Sequence, residues 1–126
     1  ELRLKSTADG LQTGTVSVIG IYALSASLDL FNEFGWNHIE KEVIANSKYF
    51  LKRLSEIGIT TILKECPDIN LSGIISFKHD EAQKIYDSLA KKKIFAAVRQ
   101  GVLRISPHFY NNEEDIEKVI NELRMI

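Results

Sequence analysis

Ten residues near the end of the chain, Val102 to Asn111, carry the chemistry that is easiest to read from residue types and spacing. Arg104 lies in a short apolar run, and Tyr110 and Asn111 follow downstream, at the mouth of a last helix. A guanidinium offers a rigid fork of donors that matches a carboxylate two bonds at a time, and it stays charged at any working pH. Held between a strand end and a helix start, Arg104 is a candidate anchor for an acidic small molecule. The competing reading is a solvated arginine flanking a β-strand. A second anion-binding candidate is Thr13-Gly14-Thr15, ahead of an apolar helix. Backbone N–H groups and a hydroxyl at a helix N-terminus suit a phosphate, and ordinary capping is the alternative there.

The remaining reactive side chains form no such pattern. His38, His79, His108 and Cys66 are scattered without metal-ligand spacing, so no metal site is expected. Cys66 precedes Pro67 in a turn and reads as an idle thiol rather than a nucleophile. Lys91-Lys92-Lys93 falls at a helix C-terminus, where cations complement the helix dipole, and reads as a solvated face.

The elements that position these residues follow from the hydrophobic pattern. With 126 residues, 44% of them hydrophobic and 26% charged, the chain is expected to form a single domain with its own core. A net charge of −1 offers no basic field for nucleic acid or an anionic membrane, and neither partner is expected. One cysteine suits a reducing, cytoplasmic compartment. Val16 to Leu28 is uncharged and apolar all round, which predicts a buried helix ended by Gly35; it is too short and too serine-rich to span a membrane. A second helix is predicted from Asn37 to Ile57, closed by Gly58. Strands are predicted at Ile59–Leu63, Gly73–Phe77, Ile94–Val98 and Val102–Ile105. Asp80, with Gln83 three residues on, predicts a capping box for a third helix with Ala82, Ile85 and Leu89 facing inward. Arg99-Gln100-Gly101 predicts a tight hairpin turn, and Asn111 or Asn112 caps a final helix. The result is an α+β fold: two N-terminal helices, then a small mixed or antiparallel sheet with helices packed on one face.

The Gly-Thr step before a long apolar helix, followed far downstream by Arg104-Ile105-Ser106-Pro107-His108-Phe109-Tyr110-Asn111 and a capped last helix, resembles a known family. It is similar to the C-terminal small domain of class V aminotransferases, the fold type I pyridoxal 5'-phosphate enzymes that include cysteine desulfurases. The resemblance implies a cytoplasmic homodimer that acts on an amino acid. It assigns Arg104 to the substrate α-carboxylate. It assigns Thr15, with Gly14 allowing close approach, to the cofactor phosphate of the partner subunit. It also implies that Val16–Leu28 is buried between domains or subunits. The Schiff-base lysine, in a Ser/Thr-x-His-Lys setting, is absent from this sequence and belongs to an N-terminal cofactor domain. The chain alone is therefore expected to carry no catalytic residue, hold no cofactor and be inactive.

Cysteine desulfurases carry a nucleophilic cysteine on a loop before the carboxylate-binding arginine. Here Val98-Arg99-Gln100-Gly101 runs directly into Val102-Leu103-Arg104, without that loop or its cysteine. This disfavours persulfide chemistry of the desulfurase or selenocysteine lyase kind and leaves transamination, epimerisation or C–S cleavage open. The alternative from another class is a free-standing α+β module that binds a ligand or a protein.

Overall fold

The computed structural model describes Thr7, residues 14–62 and residues 66–125. The chain divides into two units, Glu1–Gly35 and Trp36–Ile126. Leu63 and Thr13, named above, lie outside the described residues.

The first unit contains helix α1, Val18–Phe34. Ser17 caps it, its hydroxyl oxygen accepting from the Gly20 N–H at 3.2 Å. Gly35, at φ 84, ends it, and its N–H donates to the Phe31 carbonyl at 2.9 Å. No residue of α1 is buried, and large apolar side chains such as Ile19 (85%) and Tyr22 (74%) are exposed.

The second unit begins with α2, Trp36–Glu56. Its end is a Schellman motif: the Ile59 N–H donates to Leu54 O at 2.9 Å and the Gly58 N–H to Ser55 O at 3.0 Å, with Gly58 at φ 79. That closure explains why Ile59–Leu63 does not form the predicted strand. Ile59 is consumed by the helix cap, and pairing reduces to a single bridge between Thr61 and Phe77. A short 3₁₀ turn, Asp68–Asn70, then leads to strand β1, Ile75–Lys78.

Helix α3, Ala82–Lys91, follows. Its N-cap is Glu81, without a side-chain cap bond, so the capping box predicted at Asp80 does not form. The His79 imidazole Nδ1 accepts from the Glu81 N–H at 3.1 Å, and the helix starts one residue later than that box requires. Strands β2, Ala97–Arg99, and β3, Val102–Ile105, form a hairpin around Gln100 and Gly101 at φ 52 and 75. Both central residues in the left-handed region make the turn twist with the strands. The last helix, α4, spans Glu113–Arg124. Asn112 caps it, in a capping box with Asp115.

The sheet is antiparallel in the order β1-β3-β2, so the last strand in sequence is the central one. Alternation along the strands sends Ile75, Phe77, Leu103 and Ile105 to one face, where all four are buried. Phe50 and Leu54 of α2, Ile85 and Leu89 of α3, and Ile116, Val119, Ile120 and Leu123 of α4 complete one core with them. The architecture is the α+β arrangement expected, a small antiparallel sheet with helices on one face. No described helix is long and apolar enough to cross a membrane.

Candidate functional site

Because Leu103 and Ile105 point into the core, Arg104 between them must point to the other face of the sheet. There it is exposed, and it makes no hydrogen bond or ion pair with any described residue. Its cross-strand neighbours are Ser76 on β1 and Ala97 on β2, both small. The next row of the same face holds Lys78, Val102 and Arg99. A guanidinium on the central strand, flanked by small side chains and short of a partner, is free to take a carboxylate in a two-pronged hydrogen bond.

The backbone that follows Arg104 is firmly held. Asn46, buried on α2, donates its amide N–H groups to His108 O at 3.0 Å and Asn111 O at 2.9 Å. The Asn111 side-chain oxygen accepts from the His108 N–H at 2.9 Å, which closes the turn between β3 and α4. Asn111 is therefore a turn-builder and Asn112 the cap. Tyr110 is 74% exposed, its ring stacked on His108 with centroids 5.0 Å apart. At the start of β1, the buried Ser47 hydroxyl donates to Ser72 O at 3.0 Å. A side chain at Gly73 would meet Val43 Cγ1 at 2.8 Å, so Val43 or the β1 entry would have to shift to admit one. These anchors on α2 have no local sequence signature, because their partners lie far along the chain. Lys78 and Arg99 were readable only after the hairpin register was known.

In the first unit, Gly14 and Thr15 are exposed and lie ahead of Ser17, which performs the capping. The Thr15 hydroxyl is thus not the helix cap, and a Cβ at Gly14 would meet nothing within 4 Å. That donor set suits a phosphate oxygen approached from outside.

On the helix side, three ion pairs link or flank the helices. Arg53 of α2 holds Glu117 of α4 through Nε–Oε1 at 2.5 Å and a second guanidinium N–H to Oε2 at 2.9 Å, and the Tyr49 hydroxyl donates to the same carboxylate at 2.8 Å. The Arg53 bonds pull Glu117 down to about 2. Accepting those bonds also makes the carboxylate hold the Tyr49 proton, raising that phenol above its usual range. Glu122, nearly buried, takes Lys92 and the Ser88 hydroxyl, and both hold its carboxyl below the usual range, Lys92 foremost. A cleft of about 280 Å³ opens beside α4, between Phe50, Ile105, Ile116 and Val119. Of the cations lining the cleft, Lys92 and Lys118 are paired with Glu122 and Asp115, and the exposed Lys93 is in no ion pair with a described residue. Cys66 donates its thiol to Pro67 O at 3.6 Å, ahead of the 3₁₀ turn and outside the three strands. Among the described residues, no three His, Cys, Asp or Glu side chains gather as a metal would require.

The small antiparallel sheet thus carries Arg104, Arg99 and Lys78 on the face opposite its core. The family model for aminotransferase class-V matches residues 1–119, and the chain belongs to that family, whose members are pyridoxal-phosphate-dependent. It is 32% identical over 112 residues to the uncharacterized aminotransferase YcbU of Bacillus subtilis (strain 168), covering 89% of this chain and 30% of that protein. It is 28% identical over 126 residues to a kynureninase of Geobacillus thermodenitrificans (strain NG80-2), covering 95% of this chain and 29% of that one. The fold is similar to that of a cysteine desulfurase from Thermococcus onnurineus NA1, with a TM-score of 0.80 at 18% identity over 98% of this chain and 34% of the other. The chain thus spans about a third or less of the length of each of these relatives.

Proposed function

We propose that this chain is the C-terminal part of a cytoplasmic, dimeric, pyridoxal-phosphate-dependent enzyme that acts on an amino acid, and that Arg104 binds the substrate α-carboxylate. The observation that carries the reading is the placement of Arg104: central strand, open face, no partner among the described residues. The match over residues 1–119, together with the small share of each relative covered, favours part of a larger enzyme over a free-standing module.

The cofactor, when bound, supplies an aldehyde and an electron sink for bonds at the amino acid's α-carbon. This chain's own contributions are recognition and orientation. Arg104 fixes the carboxylate with two parallel bonds, which sets the direction of the α-amino group. Thr15 donates its hydroxyl to a phosphate oxygen of the partner subunit's cofactor, with Gly14 leaving room for the approach. The chain provides no Schiff-base lysine in the family's setting, so by itself it is inactive. The exposed apolar surface of α1 is covered in the complete enzyme by the cofactor domain or the second subunit. Of the two sulfur chemistries, C–S cleavage suits the chain better than desulfuration. The β2–β3 connection consists of Gln100 and Gly101 and offers no cysteine thiolate beside Arg104.

The test is Arg104→Ala in the intact enzyme, expressed from the complete reading frame that includes residues 1–126. Loss of a bidentate, charge-assisted contact is expected to lower kcat/KM by about a hundredfold or more, with Arg104→Lys recovering part. Unchanged kinetics would show that Arg104 does not hold the substrate.

A further inference from the structure

The open face of the sheet holds more positive charge than one carboxylate requires. Arg99 and Lys78 both sit opposite Val102, one on each side of the central strand, so both are diagonal neighbours of Arg104 on the same face. Diagonal positions of this kind place Cα atoms about 7–8 Å apart, within reach of long side chains. Lys78, Arg99 and Arg104 are all exposed, and none has a hydrogen bond or ion pair with a described residue. The three strands contain no Asp or Glu. Elsewhere five of the described cations are matched: Lys48 with Asp68, Arg53 with Glu117, Lys84 with Glu81, Lys92 with Glu122 and Lys118 with Asp115.

Like charges on neighbouring strands repel, so this cluster weakens the sheet until anions neutralise it. One carboxylate on Arg104 leaves two positive charges beside it. Ala97, directly across from Arg104 and two residues before Arg99 on the same face, carries only a methyl and leaves room for a small chain. Arg99 is well fixed, because the turn after it, Gln100-Gly101, holds its strand in register with β3.

We infer that Arg99, reinforced by the charge of Lys78, forms a second anion subsite beside Arg104, and that the substrate is an amino acid whose side chain ends in an acidic group. This rests on the carboxylate reading of Arg104. The α-carboxylate lies on Arg104, the side chain passes over Ala97, and the distal carboxylate takes the Arg99 fork.

The experiment compares glutamate and aspartate with their neutral counterparts glutamine and asparagine as substrates of the intact enzyme. The acidic pair is expected to have a kcat/KM at least about tenfold higher. Arg99→Ala is expected to lower kcat/KM for the acidic pair by about tenfold or more, mainly through KM, and to leave the neutral pair within about twofold. Arg99→Lys should restore part of the loss. Thermal unfolding of Arg99→Ala should be no lower than that of the parent, since one repelling charge is removed. A parent enzyme that prefers the neutral amino acids overturns the inference, as does an Arg99→Ala loss shared equally by all four substrates. Arg104→Ala separates the two readings. If it lowers all four substrates while Arg99→Ala lowers none, the α-carboxylate anchor stands and the second subsite falls. If it changes nothing, the anchor falls and the subsite with it.

Discussion

Arg53 and Arg104 carry the same side chain and meet opposite fates within one unit. Arg53 lies between α2 and α4, gripped by Glu117 and Glu56, and its proton is held more tightly than usual, chiefly by the Glu117 bonds. Arg104 lies on the central strand with no described partner. The contrast extends to the two faces of the sheet. On the helix side, apolar side chains are buried and Arg53, Lys92 and Lys118 are paired with carboxylates. On the other side, small residues and unpaired cations face outward. One face therefore holds the unit together, and the other remains available to an anionic ligand. An arginine already satisfied within the fold would have to break those bonds before it could take a substrate carboxylate, whereas Arg104 has nothing to give up.

The largest effect that separates the faces is expected from neighbouring residues of β1. Phe77→Ala removes a fully buried ring and should cost about 3–5 kcal/mol in denaturant unfolding. Ser76→Ala, one residue away on the open face, should stay within about 0.5 kcal/mol. Comparable losses from the two variants would mean that the open face is packed against something that contributes to stability. Next comes Asn46→Ala, which leaves the His108 and Asn111 carbonyls without their buried donor and should cost about 1–3 kcal/mol. In the intact enzyme the same variant should raise KM for the amino acid, since the backbone leaving Arg104 is less firmly held. A variant that loses stability with KM unchanged would separate that turn from the site.

A smaller effect appears in acid. Glu117 titrates at about 2 in the fold against 4.5 when free, chiefly because of the Arg53 bonds. Its stabilising contribution is therefore complete above pH 4.5 and is lost as pH falls from there toward 2. Unfolding free energy measured across that window should fall with acidification, and Arg53→Ala should flatten the decline. The smallest effect is expected from Arg104→Leu, which should change the unfolding free energy by no more than about 0.5 kcal/mol. A marked loss would mean that Arg104 is a structural residue like Arg53.

Much of this organisation was legible beforehand. The apolar stripes of α2, α3 and α4 name the core, because burial requires helical spacing and the sequence shows it. Gly58, Gly101 and Asn112 mark ends and turns through local backbone chemistry. The same local reasoning failed where two signals competed. Ile59-Thr60-Thr61-Ile62 has the composition of a strand, yet the Schellman closure of α2 takes Ile59 and leaves one bridge to Phe77. Asp80 has a capping sequence, but the helix begins after Glu81. Of the two asparagines offered as the last cap, Asn112 takes it, and Asn111 closes the turn before it.

The sequence by itself determined most of the secondary elements, the apolar stripes of the core and the arginine worth watching, because these depend on side-chain type and short-range periodicity. Only the tertiary structure decided which strand is central, that Asn46 of α2 holds the turn after Arg104, and that Lys78 and Arg99 share a face with it. Strand order and register join residues far apart in the chain, and no local pattern encodes which partners long-range pairing will select.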